Sequence, residues 1–292
     1  KTVALLCERD SPIKKFSLKW ESGIDESRVN RLVYKLLERG VLELHLTSRF
    51  SQCIETEFFL SKTLVSLALS NGCYPQGSRP PGGVFFPALK TLSLSSVAFG
   101  SYEMYEWLLS SPSLEEFNIR DDDPLRPAVR NVVTLHLSAD SLEVFYFCCS
   151  SMPEFNNLVN LSFESHKERG WQVLPLLLKK SPKLETLVIK GLVHEITNEC
   201  GDACVCIHEK MSMKMKSSCC LLSCQVKVLK IYEYGGSCRE VKQMRHFMEN
   251  LRCLEVLKLG VQVDEQDKYL QLTNEVMKLL PPASSKCKIQ FA

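Results

Sequence analysis

The side chains most able to do chemistry cluster between residues 200 and 224. They are Cys200, Cys204, Cys206, His208, Cys219, Cys220 and Cys224. Thiolates and imidazole are the ligands of tetrahedral zinc, which favours paired spacings of the C-x2-C to C-x4-C type. Here the run reads C-x3-C-x-C-x-H. Lys210, Lys214 and Lys216 alternate nearby with Met211, Met213 and Met215, the composition of a solvated loop. The segment therefore reads as a thiol-rich loop with no metal ligands assigned. A zinc-dependent activity at Cys200–Cys224 is the alternative.

Other chemistry-bearing patterns are missing from the sequence. His208-Glu209 is followed by Lys210, Met211 and Ser212, so the two-histidine zinc helix is not formed. There is no glycine-rich phosphate loop and no G-x-S-x-G elbow. Cysteine and histidine are plentiful, but no spacing marks a nucleophile and its base. No catalytic residue and no cofactor is assigned, and the chain is read as a non-enzyme.

Whatever these 292 residues do must then depend on the elements that display them. Apolar residues make up 45% and charged residues 24%, which excludes a disordered chain. The net charge of +2 gives no reason to expect nucleic acid or a membrane surface as partner. No apolar run approaches the ~18 residues of a membrane span. Thr2–Cys7 lacks the basic leader and cleavage site of a signal peptide. The fourteen cysteines are therefore read as reduced thiols acting as small buried hydrophobes, which points to the cytoplasm or nucleus.

One hexad, apolar-x-x-apolar-x-apolar, returns along the whole chain. It reads IKKFSL at Ile13–Leu18, VLELHL at Val41–Leu46, LVSLAL at Leu64–Leu69, LKTLSL at Leu89–Leu94 and LEEFNI at Leu114–Ile119. It continues as VVTLHL at Val132–Leu137, LVNLSF at Leu158–Phe163, LETLVI at Leu184–Ile189, VKVLKI at Val226–Ile231 and LEVLKL at Leu254–Leu259. Most steps fall in the range of about 20–29 residues of leucine-rich repeats. The 18-residue step holds the proline-broken loop Asp121–Pro127, and the 42-residue step holds Gly191–Ser223.

An eleventh string, LEVFYF at Leu142–Phe147, follows too closely to be a repeat. Leu142, Phe145, Tyr146 and Cys149 instead make a helical stripe, capped by Asp140 or Ser141. Between repeats, Val29, Leu32, Val33 and Leu36 form another stripe closed by Gly40. Val241, Met244, Phe247, Met248 and Leu251 form a third. Trp171–Lys180 is helix-like despite Pro175, and Tyr105, Leu108 and Leu109 make a weaker stripe. SSKCKIQF at Ser284–Phe291 reads as a last edge strand.

Strand and helix in alternation give an α/β leucine-rich-repeat solenoid. The expected shape is a curved horseshoe, with parallel strands on the concave face and helices on the convex face. Within each strand, alternate residues share a face, so the third, fifth and seventh positions should line the concave side. The candidate partner-binding residues are Lys15, Lys19, Glu43, His45, Asn118, Arg120, His136, Asn160, Glu164, Lys190, Lys230, Tyr232 and Lys258. Basic residues outnumber acidic ones in this set, which favours an acidic protein partner.

The wording of these strings resembles the plant F-box/FBD/LRR-repeat family. The resemblance lies in SPIKKFSLK at Ser11–Lys19, RGVLELHL at Arg39–Leu46, FLSKTLVSLAL at Phe59–Leu69, FPALKTLSL at Phe86–Leu94 and LLKKSPKLETLVIKG at Leu177–Gly191. CQVKVLKIYEYGG at Cys224–Gly236, MRHFMENLRCLEVLKLG at Met244–Gly260 and SSKCKIQF resemble the family's FBD domain. The expected organisation is leucine-rich repeats over 1–190, a Cys/Met/Lys-rich insertion loop over 191–222, and an FBD-like domain over 223–292 that continues the solenoid. Family members carry more sequence between the counterparts of Ile119 and Val132. The resemblance implies the substrate-receptor part of an SCF-type ubiquitin ligase, with an unknown target protein on the concave face. The family's N-terminal F-box, which docks the SCF adaptor, has no counterpart here, so the adaptor becomes a partner only if an F-box lies upstream. A scaffold or inhibitor repeat with no ligase role is the alternative.

Overall fold

The computed structural model describes residues 13–20, 25–49, 52–55, 60–76, 86–97, 111–120, 132–148, 154–197, 200–205, 220–262, 266–278 and 287–291. The chain forms two compact units, residues 1–131 and 132–292. The helical stripe expected at Tyr105–Leu109 and the loop at Asp121–Pro127 lie outside the described residues.

In each of the ten hexads the strand begins at the third position, where apolar and polar residues start to alternate. The first unit holds β1 (Lys15–Trp20), β2 (Glu43–Ser48), β3 (Gln52–Glu55), β4 (Ser66–Ser70), β5 (Cys73–Gln76), β6 (Thr91–Ser95) and β7 (Glu116–Arg120). β1, β2, β4, β6 and β7 pair in that order, all parallel. The second unit holds β8 (Thr134–Leu137), β9 (Asn160–Glu164), β10 (Thr186–Lys190), β11 (Val228–Tyr234), β12 (Val256–Val261) and β13 (Lys288–Phe291), again parallel and in chain order. β13 is the edge strand anticipated in SSKCKIQF. β3 and β5 pair only with each other, in a short parallel sheet that the hexad pattern does not announce.

The register aligns hexad with hexad. Leu44, Leu67, Leu92 and Phe117 stack as one buried row, and Leu46, Leu69, Leu94 and Ile119 as the next. The second unit repeats this with Leu161, Leu187, Leu229 and Leu257, then Phe163, Ile189, Ile231 and Leu259. Such parallel rows remove two apolar side chains per repeat from water, and that burial is the main force holding adjacent repeats together.

The backbone repeats as faithfully. The carbonyl of hexad position two accepts two amides from the next repeat, as at Val65, which takes Lys90 N at 2.8 Å and Thr91 N at 3.1 Å. Val133, Val159, Glu185 and Lys227 do the same. After the strand the chain turns through a left-handed residue: Asn71 (φ 51°), Ser96 (φ 52°) and Gly191 (φ 77°). Their amides donate to the seventh-position carbonyl of the next repeat, Ser95, Arg120 and Tyr232 respectively. Asn and Gly tolerate that region with little strain.

Helices fill the connections. α1 (Glu26–Glu38) is capped by Asp25, whose carboxylate accepts from Ser27 N and Ser27 Oγ, which holds its pKa below the ordinary value. It ends at Gly40, which has a φ of 73°. α2 (Ala139–Cys148) is a helix, as its stripe predicts, but the cap is Ser138 rather than Asp140 or Ser141. The Ser138 hydroxyl accepts from Ser141 N at 3.2 Å, while Asp140 pairs with Arg169. α3 (Leu174–Lys180) starts beside Pro175, which is tolerated in the first turn because no intrahelical donor is needed there. α4 (Cys220–Ser223) packs against α3. α5 (Cys238–Asn250) opens with a full capping box, Ser237 and Glu240 exchanging hydrogen bonds, and buries Met244, Phe247 and Met248. α6 (Gln266–Lys278) precedes β13.

Candidate binding face

The buried rows leave the third, fifth and seventh positions, counted from the start of each hexad, on the opposite, open face. In the first unit this face is largely self-satisfied. Lys15 and Glu43 face each other in register and pair at 2.8 Å, and the Lys15 ammonium holds the Glu43 carboxyl below its ordinary range. Asn118 donates to Ser93 Oγ at 3.2 Å and to Glu116 Oε1 at 3.0 Å. His45 is half-buried between Ser17 and Ala68 in the ladder. Lys19 and Arg120 are exposed at opposite ends of the seventh-position row.

The second unit is different. Asn160 is tied to Thr134 Oγ1 at 3.2 Å, and His136 lies beside Ser162. Lys190 sits between two carboxylates, Glu164 and Glu233, each 3.7 Å away. Lys230 and Lys258 face each other directly across β11 and β12. Neither makes an ion pair with another described residue. Like charges in register destabilise a sheet, so this pair carries a cost.

Beside the lysines, Tyr232 is 41% exposed. Its ring lies over Gly260, where an added Cβ would come within 2.9 Å of Tyr232 Cδ1. Val188, Val228 and Val256 occupy half-buried positions on the same face. Reasoning from polar positions alone passes over these valines and over Glu233, which lies at the left-handed turn (φ 59°) beyond Tyr232. The signal was available: valine stands at position five of LETLVI and at position three of VKVLKI and LEVLKL, where most other repeats carry a polar residue. The result is a cationic, aromatic and aliphatic patch on one ladder.

The described thiols of the 200–224 cluster are not solvated. Cys200, Cys204, Cys220 and Cys224 are buried, and Cys206, His208, Cys219 and the lysines of 210–216 lie outside the described residues. In the first unit, burial pushes the Cys73 thiol up to about 11. Burial and the neighbouring Glu26 carboxylate do the same to Cys53, also to about 11. Both are thiols at neutral pH rather than nucleophilic thiolates. Among the described residues no helix is long and apolar enough to cross a membrane.

Comparison with known proteins agrees with this architecture. Residues 29–259 match the profile of the LRR repeats of the FBD-associated F-box protein At5g56370. The F-box protein At4g27050 of Arabidopsis thaliana is 41% identical, over 100% of this chain and 82% of its own length. The F-box/LRR-repeat protein At1g48400 of the same plant is 38% identical, over 100% of this chain and 84% of its own. These alignments run over 377 and 416 positions, more than the 292 residues here, so the relatives carry interior segments with no counterpart in this chain. The hexad ladder, its parallel register and these relatives together place the chain in the plant F-box/LRR-repeat family, as a leucine-rich-repeat protein-interaction module of the FBD-associated kind.

Proposed function

We propose that the open face of the second unit captures an acidic segment of a target protein, and that the chain serves as the substrate-reading part of an SCF-type ubiquitin ligase. The observation that carries this reading is the register pair Lys230–Lys258, without an ion-pair partner among the described residues and flanked by the exposed Tyr232 and the valines of β10, β11 and β12. Aromatic anchors beside apolar contacts and localised charge are the usual energetic centre of a protein interface. The FBD-like segment, residues 223–292, supplies both lysines and the tyrosine. Lys190, held by its two carboxylates, and the self-paired residues of the first unit contribute complementarity rather than attraction. Several buried thiols suit a reducing compartment, the cytoplasm or nucleus.

The test uses the chain as bait in plant extract, wild type against K230E/K258E. The wild type should recover one or a few acidic partners that the reversed pair does not, with unchanged thermal stability. Joined to an F-box, the wild type should also recover the SCF adaptor and promote ubiquitylation of the same partner. Equal recovery by both baits would overturn the assigned face. Capture without ubiquitylation in the F-box fusion would leave a scaffold and end the ligase reading.

A further inference from the structure

In the second unit, His194, Cys200 and Cys204 converge, with one nitrogen and two sulfurs all within 4.8 Å of one another. All three side chains are more than nine-tenths buried. Among the described residues this is the one group of three metal-ligating side chains. Three observations distinguish it from a chance meeting of buried thiols.

The first is the orientation of His194. Its Nδ1 lies 3.3 Å from the Leu192 carbonyl oxygen, and its Nε2 lies 3.2 Å from Cys204 Sγ. A carbonyl can only accept, so Nδ1 carries the proton and Nε2 presents its lone pair to the sulfurs. A backbone carbonyl on the distal nitrogen is the usual device that fixes the tautomer of a metal-bound histidine. The second is the pinning of the ring. It stacks on Trp171 at 4.1 Å and 17°, and Trp171 is itself held edge-on by Phe163 at 5.4 Å. The third is that Cys200 Sγ accepts from Trp171 N at 3.3 Å, with Thr197 Oγ1 at 3.4 Å. An amide aimed at sulfur stabilises the thiolate that a metal requires.

We propose that His194 Nε2, Cys200 Sγ and Cys204 Sγ bind a zinc ion that ties these three side chains together beside the Trp171 core. With Zn–S bonds of about 2.3 Å and a Zn–N bond of about 2.0 Å the donors of a tetrahedral site lie roughly 3.5–3.8 Å apart; the present spacing, 3.2 Å for Nε2–Cys204 Sγ and no more than 4.8 Å for any pair, is within about 1 Å of that geometry. Binding forms two Zn–S bonds and one Zn–N bond and releases the two thiol protons to solvent. His194 stays neutral, protonated at Nδ1. Two thiolates cancel the charge of the ion, so the buried site is neutral, with a water molecule as the fourth ligand of the proposed tetrahedron.

The full chain, purified in reductant and freed of metal by a chelator, is loaded with zinc and desalted. Elemental analysis should find about one zinc per chain, the stoichiometry of a single tetrahedral site. Cobalt(II) in its place should give thiolate charge-transfer absorption and the visible bands of tetrahedral coordination. C200S and C204S should lose the metal and both spectral signatures, while C238S, at an exposed cysteine, should keep them. Should the serine variants not fold, the wild type alone decides: chelation should lower its melting temperature, and zinc but not magnesium should restore it. Near-zero zinc after loading would overturn the site. So would full stoichiometry in C200S and C204S, or a Cys200–Cys204 disulfide in protein prepared without oxidant.

Discussion

Tyr234 shows how much one buried oxygen can matter at the residue scale. It closes β11 and is 1% exposed, and its hydroxyl has no hydrogen-bond partner among the described residues. Leaving such a group unpaired costs about 1–3 kcal/mol, whereas replacing it by an apolar isostere is close to neutral. Y234F should therefore melt at the same temperature as the wild type or higher at neutral pH. Burial, with the Glu240 and Glu275 carboxylates, pushes the phenol up to about 12 from the ordinary 10. The folded state thus keeps this proton after the unfolded chain has lost it. The associated stability is fully present below pH 10 and is lost as pH rises through about 12. Urea midpoints between pH 9 and the alkaline limit should fall less steeply in Y234F. An equal fall in both proteins would show that Tyr234 does not carry the alkaline sensitivity.

At the scale of elements, the unit of stability is the hexad and its two neighbours. Leu187 is fully buried and lies in register with Leu161 on β9 and Leu229 on β11. Truncating it removes apolar contact on both sides and leaves a cavity. L187A should cost about 2–5 kcal/mol by urea denaturation. Nearest-neighbour coupling further predicts that amide exchange quickens first in β9, β10 and β11 and only later in β13. Uniform quickening across the second unit would show that its repeats unfold as one block.

Much of this ladder was legible because side-chain period in a strand is two and seven of the nine steps between hexads fall between 23 and 28 residues. Once Leu184, Leu187 and Ile189 are aligned with Val226, Leu229 and Ile231, the register follows. β3 and β5 were not legible: four residues each, with Pro75 in one, they carry no alternating pattern. The cap of α2 was misplaced by a few residues because serine and aspartate compete at 138–141, and Asp140 is drawn off by Arg169. The cationic positions of the open face could be named from the pattern. Which of them are neutralised by an ion pair could not, because Lys15 pairs with Glu43, 28 residues away, and Lys190 with Glu164 and Glu233, 26 and 43 residues away. His194 drew no attention for a similar reason. Its relation to Cys200 and Cys204 depends on the turn at Gly201–Ala203 and on the Trp171 ring, and no periodicity records either.

Across the whole molecule, a formal charge of +2 spread over 292 residues gives little long-range pull on an acidic partner. Attraction must come from local charge, which acts within about a Debye length, roughly 10 Å at 0.1 M salt. Among the described residues on the open face of the second unit, the lysines without an ion pair are Lys230 and Lys258, side by side, and Lys288, in register with Val256 at the edge; in the proposed complex Tyr232 and the valines would contribute by burial. The two contributions should separate by their response to salt. For the partner recovered with this chain, K230Q/K258Q should weaken binding at low salt and flatten its salt dependence. Y232A, by contrast, should cost about 2 kcal/mol, near thirtyfold, and leave the salt slope unchanged. G260A should resemble a milder Y232A, because the new methyl must displace the tyrosine ring that now lies over the glycine. Equilibrium binding of the four proteins at several salt concentrations measures both quantities. If Y232A flattened the salt dependence as much as the lysine variant, the tyrosine would be orienting the charges rather than anchoring the partner, and the division of labour argued for this face would be wrong.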